Sequence, residues 1–242
     1  MVDWQLVKEY FPDIAAKFPI TLKMVIISIS LGLLLGFIQA IIRINKVPVL
    51  NQLALVQISY IRCTPVITQL YVIYFGVPII LSNFGFDVGG INKEFYAILA
   101  YTLNQAVFLG ENIRSSLQAV PKGQFDAGRS VGMTEAQTLL SIVTPQALYI
   151  SLPMLGTFLV ALFQGTALAY LVGVTDMMGK VKLLGAKTGH TLEGYIVCAI
   201  IFAVISIILE QVFRVLNNKL DFANKKAKTD DNTVLRAAGG NA

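Results

Sequence analysis

The stretch from Val25 to Ile42 is an apolar run without a single charged residue, bracketed by Lys23 and Arg43. A helix needs roughly 17–25 mostly apolar residues to cross a bilayer, so this run can span one. Hydrophobic residues make up 55% of the chain and charged residues 14%, against about 25% charged residues in soluble domains. A surface so poor in charge must face lipid over most of its area, which excludes a soluble enzyme fold and a disordered chain.

Four further apolar runs follow, and together they predict an all-α integral membrane protein with five transmembrane helices. The spans are expected at about 20–43, 62–81, 95–114, 149–172 and 195–216. Within the first span, Gly32 and Gly36 form a small-xxx-small pair that lets another helix approach closely.

The spans define a transmembrane domain over residues 20–216. An amphipathic, extracytoplasmic segment is expected before it at residues 1–19. A basic tail, expected to be disordered, follows at residues 217–242. Residues 115–148 form the longest polar insertion between two spans.

The placement of lysine and arginine predicts the orientation, because cytoplasmic loops of membrane proteins carry an excess of both. One side would receive Arg43, Lys46, Arg114, Lys122, Arg129, Arg214, Lys219, Lys225, Lys226, Lys228 and Arg236. The other side would receive the smaller set, Lys8, Lys17, Lys93, Lys180, Lys182 and Lys187. The insertion and the C-terminus are therefore predicted to be cytoplasmic and the N-terminus outside, in a multi-pass protein of the cell membrane.

The sequence predicts no catalytic, metal-binding or nucleic-acid-binding site on this chain. Its basic residues are scattered and lack interleaved aromatic residues, so the net charge of +5 does not indicate nucleic-acid binding. Cys63 and Cys198 lie in unrelated apolar stretches, and with a single histidine they predict neither a metal site nor a catalytic cluster. No Gly-x-x-x-x-Gly-Lys-Ser/Thr phosphate loop is present, so ATP hydrolysis is not predicted on this chain.

The polar segment from Gln124 to Thr134 is the most informative stretch of the insertion. Two short helices joined at Gly132 would offer a knob to a cytoplasmic partner, since glycine accepts positive φ. A helical hairpin without a partner is the alternative. The spacing resembles the EAA loop of ABC-importer permeases at Asp126, Ala127, Gly128, Gly132, Ile142 and Pro145. This chain departs from that pattern with Asp126 for Glu, Gly128 for Ala and Thr144 for Leu.

Further motifs are similar to those of type I importer permeases for polar amino acids, the branch that handles histidine, glutamine, arginine and cystine. Arg62 to Pro65 with Gln69-Leu70 resembles Arg-Gly-Thr-Pro…Gln-Leu, and Ile73 to Pro78 resembles Ile-Tyr-Phe-Gly-Leu-Pro. Asn104 to Glu111 resembles an Asn…Tyr-x-x-Glu helix. The resemblance covers about residues 20–174.

This resemblance implies a permease subunit of an ATP-driven importer, working by alternating access. The implied partners are an ABC ATPase dimer that binds ATP and Mg²⁺, a second permease subunit (a copy or a paralogue), and an extracytoplasmic substrate-binding protein. The loop at 115–148 would couple the permease to the ATPase, and no cofactor is expected on this chain. An ATP-independent secondary transporter or channel is the alternative, although it predicts inverted repeats and charged relay residues that the sequence lacks.

Polar residues inside the predicted spans are candidates for the substrate pathway: Gln69, Asn104, Glu111, Thr157, Gln164 and Thr166. Asn104 and Glu111 lie seven positions apart, as do Thr157 and Gln164, so each pair shares a helix face. Hydrogen bonds or ion pairs between helices are the alternative interpretation, for Glu111 with Arg114 or another helix.

One difference from the residues of related permeases bears on the class of substrate. Related permeases often have Lys-Asp-Thr-Ser where this chain has Gln164-Gly165-Thr166-Ala167. The loss of both charges favours a neutral polar or sulfur-containing amino acid, such as cystine.

Overall fold

The computed structural model describes residues 2–86 and 90–238, with side chains described through residue 219. Every regular element in these ranges is helical. The α-helices are α1 Trp4–Ala15, α2 Phe18–Ile44, α3 Leu50–Cys63, α4 Val66–Asn83, α5 Lys93–Ala119, α6 Gly123–Ser130, α7 Glu135–Thr138, α8 Thr144–Gly165, α9 Met177–Thr188 and α10 Thr191–Ala238. A π-helical turn, Leu139–Val143, precedes α8, and a 3₁₀ segment, Thr166–Val172, follows it.

Within the described ranges, four helical stretches are long and apolar enough to cross a membrane. They are Phe18–Ile44, Val66–Asn83, Glu135–Val172 and Thr191–Lys219, and they coincide with the first, second, fourth and fifth predicted spans. The all-α membrane architecture is thus confirmed. The third predicted span, 95–114, lies in α5, which at 27 residues is about 40 Å long but is too polar to qualify. The count of five spans stays a prediction.

Helix α5 occupies the middle of the bundle, where it packs against α2, α4 and α8. Its pairing with α2 is the most extensive and depends on small residues. A Cβ atom on Gly36 would lie 2.8 Å from the backbone nitrogen of Gly110, and one on Gly32 would lie 2.7 Å from Gln105 Cβ. The two backbones therefore approach as closely as the small-xxx-small pair predicted.

A second group of helices encloses the main apolar core. Helix α10 packs against α8, α9 and α1, and the core between them includes Met24, Tyr101, Phe163, Met177 and Val197. The predicted amphipathic segment at 1–19 contains α1, whose Tyr10 and Ile14 are buried in this core.

The C-terminal tail differs from the sequence-based expectation. Disorder was expected over 217–242, whereas the backbone of α10 continues as helix through Ala238. Lysine and alanine recur in this stretch and have good helix propensity, so the helix extends beyond its apolar part. Residues 239–242 lie outside the described part of the chain.

Candidate functional site

A cavity of about 410 Å³, with several polar side chains on a mostly apolar wall, lies between α3, α5 and α8. Asn104 and Thr157, both predicted pathway residues, line it from α5 and α8. Phe108 and Phe158 lie on its wall with their ring centroids 5.7 Å apart. The packing of apolar helices does not by itself require such a cavity, which makes it the candidate binding site for a polar solute.

Gln69 is only 2% exposed and lies behind Asn104 rather than on the cavity wall. Its Nε2 donates to the carbonyls of Ile61 and Thr64, both at 3.0 Å, while its Oε1 accepts from Asn104 Nδ2 at 2.8 Å. Gln69 therefore ties the α3–α4 corner to α5 and fixes the rotamer of Asn104. Asn104 Oδ1 accepts no hydrogen bond from the described part of the chain.

A second hollow, of about 480 Å³, lies between α8 and α10. Gln164 lines it together with Glu210 and Arg214, and Gln164 Nε2 donates to Ser206 Oγ at 3.2 Å. Thr157 lines both hollows. Asn104 and Gln164 therefore line different hollows, which meet at Thr157.

Thr166 takes no part in either hollow. It is fully buried, and its Oγ1 donates to the carbonyl of Phe163 at 2.6 Å. This bond sits where α8 gives way to the 3₁₀ segment, so Thr166 stabilises the change of helix type.

Glu111 also lies away from the two hollows. Its carboxylate forms an ion pair with Arg43 of α2 and another, at 3.1 Å, with Arg114 one turn along α5. All three side chains are largely buried. This geometry favours the structural interpretation of Glu111, with the addition of a partner from α2.

Sequence reasoning missed Arg62, Tyr101 and Gln105 on the cavity wall. Gln105 is buried, and its Oε1 has no hydrogen-bond partner among the described residues. Residues 101, 104, 105 and 108 recur at the spacing of one helix face, and that periodicity was the available signal.

The hairpin formed by residues 123–143 contains five of the six residues of the EAA-like pattern, and the sixth, Pro145, lies in the first turn of α8. Helix α6 ends in a Schellman motif, in which Met133 N–H donates to Gly128 O and Gly132 N–H to Arg129 O, both at 3.0 Å. Gly132 has φ +79°, and nothing lies within 4 Å of the place where its Cβ would be. Glycine is needed there for its backbone conformation, whereas the space around it is open.

Gly128 is the point of closest contact inside the hairpin. It is the one buried residue of α6, and a Cβ there would lie 2.7 Å from Thr138 Cγ2 and closer still to the Thr138 hydroxyl. The departure from alanine at this position therefore accompanies a threonine on α7 that fills the same space.

The outer surface of the hairpin is mixed in character. Arg129 Nη2 donates to Glu135 Oε1 at 2.6 Å and so links α6 to α7, while Arg129 Nη1 lies 4.0 Å from Asp126 Oδ1. Asp126 and Ala127 are exposed, as predicted for a knob. At the tip Val131 is 75% exposed, an apolar contact point that the motif did not include.

The base of the hairpin is fixed to the bundle. Phe125 packs with Val120, Val143 and Ala147, while Gln146 Nε2 donates to Gln124 Oε1 at 3.2 Å and to the carbonyl of Ile142 at 3.0 Å. Pro145 is exposed in the first turn of α8. These contacts join α6 to α8, the helix that carries Thr157 on the wall of the cavity.

Asp176 is a fully buried carboxylate in the connection between the 3₁₀ segment and α9. It caps α9 by accepting the Gly179 N–H at 2.9 Å, and its Oδ2 has no partner among the described residues. Burial raises the pKa of Asp176 to about 6, against the lowering effect of the backbone hydrogen bonds from Gly179 and Met178. Among the residues that the structure describes, no three His, Cys, Asp or Glu side chains are grouped as a metal site.

Long apolar helices surround a cavity that carries polar side chains, and a polar hairpin is joined to α8, one of the helices that line it. This is the architecture of an integral-membrane permease. Residues 19–222 match the family described as "Binding-protein-dependent transport system inner membrane component", and the chain belongs to this family. Within it, the chain is an amino-acid ABC importer permease by similarity to the relatives that follow.

Two relatives are cystine permeases of Bacillus subtilis (strain 168). The L-cystine transport system permease protein TcyL is 33% identical over 96% of both chains, and the L-cystine transport system permease protein TcyB is 33% identical over 91% of this chain and 92% of its own. A crystal structure of an amino acid ABC transporter with histidines aligns with a TM-score of 0.80 at 27% identity, over 90% of this chain and 99% of that one. The fold and the family predicted from the sequence are therefore confirmed.

Proposed function

We propose that this chain is the membrane-spanning subunit of an ATP-driven importer for a neutral polar amino acid, with cystine as the preferred candidate. It receives the amino acid from a substrate-binding protein and moves it across the membrane by alternating access. ATP and Mg²⁺ bind to a partner ATPase dimer, and a second permease subunit, a copy or a paralogue, completes the pore.

The observation that carries the proposal is that no carboxylate lines the cavity among the residues that the structure describes. Asn104, Gln105, Thr157 and the Tyr101 hydroxyl supply uncharged polar groups, and Arg62 adds one positive charge. A basic amino acid would need a carboxylate to pair with its side chain. Cystine has no net charge, and Arg62 can pair with one of its carboxylates while the uncharged groups form hydrogen bonds with the rest. The similarity to two cystine permeases supports the same substrate.

The hairpin is the proposed contact with the ATPase. Asp126, Ala127 and Val131 form its exposed tip, and Gly132 sets the turn between its helices. In this proposal Ile142 and Pro145 carry the motion into α8. The arrangement requires the hairpin, residues 115–148 and the C-terminus to be cytoplasmic and the N-terminus outside, as the lysine and arginine distribution predicts.

Uptake by the reconstituted system tests the function. The complex with its ATPase and binding protein is placed in liposomes, and uptake of cystine, glutamine, arginine and histidine is measured with and without internal ATP. We expect ATP-dependent cystine uptake that exceeds uptake of the other three. Uptake that does not require ATP would instead support the alternative of a secondary transporter or channel.

A pair of matched substitutions tests the cavity. Asn104→Leu removes a polar group from the wall, and Gln52→Leu makes a similar change at an exposed position of α3. We expect Asn104→Leu to lower uptake between about fivefold and about 150-fold, since one unmade hydrogen bond costs about 1–3 kcal/mol, while the ATPase still co-purifies. Gln52→Leu should retain uptake. Equal uptake by both variants would show that the substrate pathway does not depend on this cavity.

A further inference from the structure

Helix α1 presents three distinct faces. Its inward face is formed by Tyr10 and Ile14, which are buried in the main core. A second face carries Gln5, Glu9 and Asp13, spaced four residues apart and exposed. A third face carries Trp4 and Phe11, seven positions apart and therefore on one side of the helix, with Lys8 between them.

The aromatic face is only partly covered by the residues that the structure describes. Trp4 is 66% exposed and Phe11 49% exposed. One aromatic side chain on a surface is ordinary, but two on the same face of a helix, with Lys8 between them, form a largely apolar strip.

The helix is held firmly in place. Tyr10 Oη lies 2.6 Å from Thr188 Oγ1, Lys180 Nζ lies 2.9 Å from Asp13 Oδ2, and Asp3 N–H donates to Glu193 Oε1 at 3.1 Å. These three contacts join α1 to both ends of α9 and to the start of α10. The orientation of the aromatic face is thus fixed by the fold.

The anchoring points also give the level of α1 relative to the membrane. It ends three residues before α2 begins, and it contacts the first turn of α10, so it lies where two apolar candidate spans start. Leu192 in that turn and Leu22 in α2 are exposed apolar residues of those spans. The Trp4–Phe11 strip therefore continues the apolar surface that faces lipid.

We propose that α1 is an interfacial helix whose Trp4–Phe11 face binds the lipid headgroup–acyl boundary on the N-terminal side of the membrane. Tryptophan favours this boundary, and Lys8 can extend its ammonium group to lipid phosphates while its stem lies along the apolar strip. Gln5, Glu9 and Asp13 then face water. The inference does not depend on the transported substrate or on the ATPase.

Trp4 is the only tryptophan of the chain, so its fluorescence reports on this face alone. The full chain, purified without partners, is placed in nanodiscs of phosphatidylcholine brominated either near the headgroup or near the end of the acyl chain. We expect roughly twofold stronger quenching by the shallow bromine, because interfacial helices insert only about 5–10 Å. Iodide added to the water should quench weakly. Trp4→Phe provides the blank.

Matched variants separate lipid contact from folding. Phe11→Glu places a charge on the aromatic strip, and Gln5→Glu places the same charge on the water-facing side. The first should reduce bromolipid quenching of Trp4 at least about twofold and increase iodide quenching, whereas the second should change neither.

Two results would overturn the proposal. Strong iodide quenching of the wild-type chain without bromolipid quenching would show that Trp4 faces water. Absence of bromolipid quenching together with a blue shift on adding the substrate-binding protein would assign the strip to that protein instead. Both measurements use the wild-type chain and do not depend on whether a variant folds.

Discussion

Glu111 illustrates how a single side chain can have two opposite interpretations until its partners are known. From the sequence it is the one carboxylate well inside a predicted span, which indicates either a pathway or a buried pair. Its contacts with Arg43 and Arg114 join α2 to α5 and leave it off both hollows. The partner on α2 was not predictable, because helix periodicity gives the face of a residue but not the helix that faces it.

The substitution Glu111→Gln tests this assignment. It leaves two largely buried arginines without a counter-charge, and we expect a loss of about 2–3 kcal/mol of stability, measured by thermal unfolding in nanodiscs. Glu135→Gln makes the same change in the exposed pair with Arg129 and should cost less than about 1 kcal/mol. A Glu111→Gln protein with wild-type stability and reduced uptake would contradict the structural interpretation and support a role for Glu111 in the substrate pathway.

Asp176 predicts a specific pH dependence. Its pKa of about 6 in the folded chain lies above its ordinary value of 3.8, so the folded state binds this proton more tightly than the unfolded state. The free energy of unfolding therefore falls as the pH rises from about 4 to about 6. The full effect is roughly 3 kcal/mol, from about two pKa units at 1.36 kcal/mol each.

Asp176→Asn keeps the carbonyl that accepts the Gly179 N–H and removes the titration. We expect the variant to gain stability over the wild type as the pH is raised through this window, and to match it most closely near pH 4. Thermal unfolding of both proteins across the range measures the difference. Parallel curves for the two proteins would contradict the buried-carboxyl account.

At the scale of elements, the hairpin shows what spacing can and cannot give. The motif correctly indicated two short helices with a turn at Gly132, since a Schellman motif needs positive φ at that position. It could not indicate that the Thr138 side chain packs directly against Gly128, because the contacts between α6 and α7 depend on the side chains of both helices. It also left out Val131, which is exposed only once the turn is built.

The Gly128–Thr138 contact can be tested by compensation. Gly128→Ala alone should separate α6 from α7 and lower ATPase binding, because its Cβ has no room beside Thr138. Thr138→Ala removes the obstructing hydroxyl and methyl group, so the double variant should bind the ATPase within about threefold of wild type, a deficit below about 1 kcal/mol. Co-purification with the ATPase is the measurement. If Gly128→Ala binds normally by itself, the contact does not position the hairpin.

The bundle as a whole follows from the apolar runs of the sequence. Hydropathy located four spans because each has a surface that meets lipid, and the fit is good at α2, α4, α8 and α10. The cavity could be predicted only in outline. Asn104 and Thr157 both line it, but the position of Gln164 on a separate hollow depends on how α8 packs against α10, and the role of Gln69 depends on the corner between α3 and α4.

Orientation in the membrane is a property of the whole chain and can be measured directly. In a background with Cys63→Ser and Cys198→Ala, single substitutions Lys122→Cys and Lys187→Cys place a thiol at exposed positions of opposite predicted sides. An impermeant maleimide added to intact cells should label Lys187→Cys only, and permeabilised cells should label both. Labelling of Lys122→Cys in intact cells would reverse the predicted topology.

The polarity of α5 has a consequence for how the protein is made. Asn104, Gln105, Glu111 and Asn112 all lie in this helix, and a single charged side chain near the centre of an isolated helix costs roughly 2.5–3.5 kcal/mol during insertion by the translocon. Helix α2 is synthesised first and carries both the glycines that admit α5 and the arginine that neutralises Glu111. Helix α5 would therefore leave the translocon already packed against α2, which would shield its polar side chains from lipid until the remaining helices are in place.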